Sequence, residues 1–170
     1  MVNLAGIVTD SIVDGPGLRT TLFAQGCPHH CEGCHNPETW DFSGGTEVSA
    51  EAAVEIVKSS PLCRGVTFSG GEPLAQAEGF AEIAKALKDK GYEVASYSGY
   101  TFEELLDGTD GQKALLQLLD VLIDGPFVMR EKSLEIAFRG SRNQRIINVP
   151  ESLKAGKVVT IDRGRWQGEY

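Results

Sequence analysis

The sequence predicts an α/β fold, a partial and open (βα) barrel of roughly four to six strands in a single domain, residues 1–170. Three observations predict it. Short apolar runs alternate with amphipathic helical patterns, an order that pairs strands in parallel through right-handed crossovers. The strand count falls short of the eight that close a full barrel. Polar and ligating residues gather just after the strands, where sheets of this kind place their chemistry.

The elements follow in order. Leu18 to Gly26 (LRTTLFAQG) reads as a buried strand that runs straight into a cysteine-rich loop. Ser49 is placed to cap a helix with apolar residues at helical spacing in AEAAVEIVK. Gly65 to Ser69 (GVTFS) is a second strand, ended by Gly70 and Gly71. AEGFAEIAKALKDKG is an amphipathic helix that Gly91 closes. EVASYS is the third strand, TFEELLDG and QKALLQLLD supply helical turns, and VLIDG is the fourth strand, with Asp124 at its end. RIINV and KVVTI are two later candidates.

Composition narrows the function. A 41% apolar and 24% charged chain is ordinary for a globular protein, and its net charge of −8 argues against nonspecific nucleic-acid binding. The basic residues near the end, Lys154, Lys157, Arg163 and Arg165, read as a solvated face or a patch for an acidic partner. No apolar run approaches the roughly 20 residues that span a bilayer, and the N-terminus lacks the pattern of a signal peptide. A reducing cytoplasm is the expected compartment, with no membrane partner. There, clustered cysteines serve as metal or redox ligands more often than as disulfides.

Three of the four cysteines fall in CPHHCEGCHN, as Cys27, Cys31 and Cys34. A structural zinc site takes four ligands, which His29, His30, His35 or Cys63 would have to complete. A dithiol redox motif uses only two cysteines. A [4Fe–4S] cluster usually takes four thiolates, so three leave one iron open for substrate. Cys63, in PLCRG, reads as a buried structural thiol.

The spacing Cys-x3-Cys-x2-Cys resembles the signature of the radical S-adenosylmethionine (SAM) enzymes. DGPGLRTTLFAQGC, CHNPETWDF, TFSGGEPL, YSGYTFEEL, VLIDGPF and RGSRNQRIINV are, in that order, similar to the glycyl-radical-enzyme activases that serve anaerobic ribonucleotide reductase. The matches run from Asp14 to Val149.

The resemblance implies a [4Fe–4S] cluster on Cys27, Cys31 and Cys34, with the amino and carboxylate groups of SAM on the fourth iron. It implies an oxidoreductase that cleaves SAM to a 5′-deoxyadenosyl radical, which takes hydrogen from a glycine of the reductase. A flavodoxin- or ferredoxin-type protein would supply the electron. Ser69, Gly70 and Gly71 would approach the methionyl end of SAM, with Glu72 near its ammonium. Gly33, Cys34 and His35 match the stretch that passes the adenosine. Gly33 stands where the wider superfamily often carries an aromatic residue, so adenine packing must come from elsewhere, with His35 or a side chain on a later strand as candidates. Tyr97 and Ser98 are expected on the pocket wall. Asp124 either caps its Asp-Gly-Pro turn or bonds a ribose hydroxyl or the substrate backbone. Arg19 braces the first strand or serves the site. Arg139, Arg142, Asn143 and Gln144 either grip an anion or partner loop, or cap the sheet edge.

Two other readings stand beside this one. A small-molecule radical SAM enzyme of the 7-carboxy-7-deazaguanine synthase type shares the small barrel and both motifs, and a zinc-binding adaptor would be no enzyme at all.

Overall fold

A computed structural model describes residues 1–169, and its strands join in one seven-stranded sheet. They are β1 (Val2–Ser11), β2 (Arg19–Ala24), β3 (Thr46–Val48), β4 (Gly65–Gly70), β5 (Glu93–Tyr97), β6 (Val121–Asp124) and β7 (Arg145–Asn148). Their order is β3-β1-β2-β4-β5-β6-β7. The four expected strands, β2, β4, β5 and β6, form the parallel centre. In register, Ala24 meets Gly70 and Tyr97 meets Ile123, which brings the strand ends that carry the site to one edge.

The sheet is larger than the four to six strands expected. β1 and β3 add an antiparallel flank on one side. β1 escapes a period-two reading because its pairing with β2 shifts register twice, between Leu4 and Gly6 and between Val8 and Ser11. RIINV does form β7, but antiparallel to β6, since a long loop rather than a crossover helix joins the two. KVVTI is not a strand and contributes one isolated bridge, Ile147 to Thr160.

The helices are α1 (Ala50–Lys58), α2 (Ala77–Asp89), α3 (Phe102–Leu106), α4 (Asp110–Leu118) and α5 (Val149–Ala155). Ser49 caps α1 as expected, its side chain accepting from the Ala52 N–H at 3.1 Å. α2 buries Phe80, Ile83, Ala84 and Leu87, the i, i+3, i+4, i+7 stripe of its sequence. Phe80 lies 4.7 Å from Phe68 of β4, ring to ring, so helix and sheet share one core. Thr101 with Glu104, and Thr109 with Gln112, form capping boxes that start α3 and α4. α5 has Pro150 in its first turn and the Asn148 side chain as cap. None of the described helices is long and apolar enough to cross a membrane.

Arg19 is a brace. Its side chain, 1% exposed, bonds Thr67, the carbonyls of Pro16 and Val66, and Glu93 at 2.8 Å. Its guanidinium lies 5.1 Å over the Trp166 ring. Of the late basic residues, Arg165 pairs with Glu93 and Lys154 with Glu151.

Candidate functional site

The ends of the parallel strands open on a cavity of about 780 Å³, a size that suits a cofactor or a ligand of comparable bulk. Its wall includes Cys27, Cys31 and Cys34, then His35, Ser69, Gly70, Gly71, Tyr97 and Ser98. Most of the residues singled out by sequence therefore meet in one place. Gly33, Glu72 and Asp124 are not on the wall.

β2 delivers its chain directly into the cysteine loop. The Gly26 N–H donates to the Thr39 carbonyl at 2.6 Å and the Cys27 N–H to the Trp40 carbonyl at 3.2 Å, which closes the loop at its base. His30, at φ +47°, stacks on Trp40 with centroids 4.4 Å apart and planes within 7°. Between the second and third cysteines, the Cys34 N–H donates to the Cys31 carbonyl at 3.1 Å. The Asn36 N–H reaches the Cys34 sulfur at 3.4 Å. Burial pushes the Cys27 thiol above its ordinary pKa, an effect that hydrogen bonds from His29 and His30 oppose and the Glu72 charge reinforces.

All four cysteines are free, and Cys63 is apart from the loop, buried, with its thiol donating to the Gly65 carbonyl at 3.1 Å. Among the described residues no three of His, Cys, Asp or Glu converge as a single metal ion requires. A mononuclear zinc draws all its ligands to about 2.0–2.3 Å of one point. A cube instead offers a separate iron to each thiolate, so ligands that share a cavity without converging suit it better. Three soft sulfur donors with open space beside them fit a [4Fe–4S] cluster.

The glycine turn is shaped by backbone contact. Gly70 has φ +95°, and a Cβ there would stand 2.5 Å from the Ala24 nitrogen. Gly71 presses on the Gly26 carbonyl in the same way, and the Glu72 N–H donates to that carbonyl at 2.8 Å. The turn is thus stitched to the chain just before Cys27.

Glu72 is held by the protein's own donors. Its carboxylate is fully buried and receives His29 Nε2 at 2.6 Å, the Gly99 N–H at 2.7 Å, the Leu74 N–H at 3.0 Å and the Ser98 hydroxyl at 3.0–3.1 Å. Protein donors thus engage both of its oxygens. Asp124 is likewise held by the protein, at the start of α3 and not within its own Asp-Gly-Pro turn. It is 1% exposed, accepts from the Phe102 N–H at 2.8 Å and pairs with Arg145 at 2.6–3.0 Å. It fixes the start of α3 and the last strand rather than facing the cavity.

Gly33 serves packing. At φ +76°, a Cβ on it would meet the Met129 sulfur at 2.6 Å and Phe127 at 3.2 Å. Phe127 lines the cavity 5.2 Å from the His35 ring and fits against Gly140 on its other side. Sequence reasoning did not single out Phe127, although it lies in the quoted VLIDGPF run. The signal was the pair of glycines, each far away in sequence, that make room for one ring.

The run after Arg139 divides. Gln144 accepts from the Gly140 and Ser141 N–H groups, and Asn143 donates to the Pro126 carbonyl, so both shape the loop before β7. Arg142 lies 3.6 Å from Glu135 at the surface. Arg139 faces the cavity and donates to the Ala137 carbonyl and to Gln167. Burial, with Arg142 nearby, lowers its pKa.

Residues 13–147 match the family described as "4Fe-4S single cluster domain". The anaerobic ribonucleoside-triphosphate reductase-activating protein of Vibrio cholerae is 37% identical, over 79% of this chain and 90% of its own. Its counterpart in Escherichia coli K12 is 34% identical, over 78% and 90%. The chain belongs to this family of reductase-activating proteins. A pyruvate formate-lyase-activating enzyme of Clostridium pasteurianum is 40% identical over 71% of this chain and 52% of that longer enzyme. Among solved structures, QueE from Escherichia coli superposes with a TM-score of 0.48 at 17% identity, over 59% of this chain and 53% of QueE. The family match covers both the cysteine loop and the glycine turn.

Proposed function

We propose that this protein is a radical SAM activase that installs a glycyl radical on anaerobic ribonucleotide reductase. One observation carries the reading beyond family membership: the three loop thiols share an open cavity with the Ser69-Gly70-Gly71 backbone. Cys27, Cys31 and Cys34 would hold the [4Fe–4S] cluster as thiolates. Gly70 and Gly71, and the wall at Ser69, would receive the methionyl end of SAM. Phe127, with the His35 ring tilted beside it, would give its adenine an aromatic face, the role left vacant by Gly33. Arg139 supplies a cavity-facing guanidinium for a carboxylate or for carbonyls of the substrate backbone.

When bound, the cluster and SAM supply a one-electron reductive cleavage whose 5′-deoxyadenosyl radical takes hydrogen from a glycine Cα. The chain's own part is to hold, orient and exclude water. The open side of the sheet leaves room for a protein loop to enter, and the glycine is chosen because its Cα radical is stabilised between amide nitrogen and carbonyl. A flavodoxin- or ferredoxin-type donor in a reducing cytoplasm fits the chemistry, and the four free thiols suit that compartment.

The test is anaerobic reconstitution with iron and sulfide, followed by SAM, a strong reductant and the reductase. Electron paramagnetic resonance (EPR) should show a doublet from the one remaining α-hydrogen, absent when the partner's glycine is alanine. No doublet, with turnover of a purine-like small molecule instead, would move the assignment to the deazaguanine-synthase class.

A further inference from the structure

We infer that His29 and Glu72 form a clamp that fixes the geometry of the cysteine loop, with Glu72 acting on His29 and not on the cofactor. His29 lies between the first two cysteines, and its Nε2 is 2.6 Å from a Glu72 oxygen across 43 positions of sequence. The Glu72 carboxylate is itself immobile, held by the N–H groups of Leu74 and Gly99 and by the Ser98 hydroxyl. One buried anion therefore ties together the cysteine loop, the turn after β4 and the end of β5.

The ring is held as well as the nitrogen. His29 packs so closely on Gly99 that any Cβ at that position would strike the ring. Tyr100 meets the ring edge-on at 4.5 Å. The loop's other aromatic contacts, His30 on Trp40 within its own neighbourhood and His35 beside Phe127 beyond β6, do not set its position against β4 and β5. The Glu72–His29 contact does, because Glu72 follows β4 directly and its donors Ser98 and Gly99 follow β5. A charge-assisted hydrogen bond to a fully buried carboxylate is strong enough to do so.

The inference rests on the cysteine loop holding a cluster, and it predicts how tightly and in what geometry. His29 is here a positioning residue. The experiment compares anaerobically reconstituted wild type, His29→Gln, His29→Leu and Gly99→Ala, without SAM. Iron release to a colorimetric chelator and the EPR spectrum of the dithionite-reduced cluster are recorded.

His29→Leu should release iron faster, by roughly ten- to hundredfold when the affinity lost with a ligand-orienting partner is expressed in the off-rate. Its EPR g values should shift. His29→Gln keeps an N–H donor near the place of Nε2 and should stay close to wild type. Gly99→Ala puts a Cβ against the ring at Nε2, displacing the ring and its hydrogen bond while leaving both partners in the sequence, and should move in the direction of His29→Leu. Thermal melts of the apo proteins report folding separately. Equal release rates and spectra for wild type and His29→Leu would overturn the clamp, as would a failure of glutamine to rescue or losses confined to variants that have unfolded. Wild type that takes up no iron and sulfide overturns the cluster reading and the clamp together, a result distinct from equal release by intact clusters.

Discussion

Gly71 and the Gly26 carbonyl are in such close contact that no side-chain carbon fits between them. The glycine turn and the residue before Cys27 therefore move together. Gly71→Val should weaken SAM binding and also speed loss of the cluster, because the branched side chain displaces the chain that carries Cys27. Isothermal titration of SAM and chelator-driven iron release measure the two effects. Weaker SAM binding on a cluster that releases iron at the normal rate would show that the turn serves the ligand alone.

The thiols divide three to one. Cys27→Ala, Cys31→Ala and Cys34→Ala should each abolish cluster binding and SAM cleavage, as seen by iron and sulfide analysis and by 5′-deoxyadenosine formation. Cys63→Ala should keep both, at a cost in stability of about 1 kcal/mol for its lost hydrogen bond and packing. Loss of the cluster in Cys63→Ala would sink the three-ligand site.

Phe127 should matter to SAM and not to the cluster. Phe127→Ala removes a stacking surface worth about 0.5–1.5 kcal/mol, so SAM affinity should fall by between about twofold and about thirteenfold. The iron content should not change. Phe127→Tyr should restore most of the affinity, and equilibrium binding by dialysis would decide.

Tyr97 anchors the loop before β7, its hydroxyl donating to the Phe138 carbonyl at 2.7 Å. Phe138 sits at φ +58°, a strained position for a bulky residue, so this bond helps hold it there. Tyr97→Phe should cost about 1–3 kcal/mol through the unpaired carbonyl. Burial also pushes the Tyr97 pKa far up, with the Asp14 charge adding to it and that of Arg19 opposing it. The unfolded chain then loses this proton at about pH 10 while the folded protein keeps it. Stability should therefore be full below that pH and fall above it, and Tyr97→Phe should lose that part of the alkaline decline in thermal melts.

Much of the centre was legible in the sequence. The four parallel strands, the stripe on α2 and the Ser49 cap rest on local periodicity and on side chains that bond their own backbone. The cysteine spacing and the Ser69-Gly70-Gly71 turn were legible through their resemblance to a known family. The flank was not. β1 is broken by two register shifts, β3 is three residues long, and neither leaves a clean alternation.

The sequence by itself determined which chemistry is present: three thiols at fixed spacing, a glycine turn, and the strands that end beside them. Only the tertiary structure decided how that chemistry is arranged. Glu72 and Asp124 are conspicuous acids at strand ends, and both turned out to be spent on the protein's own donors. Phe127 drew no notice, yet it fills the space that Gly33 and Gly140 leave. The physical reason is distance along the chain. Periodicity and capping act over a few residues, whereas the partners of a buried carboxylate or ring are set by which elements pack together. His29 and Glu72, 43 positions apart, meet only because β2, β4 and β5 end at one level of the sheet.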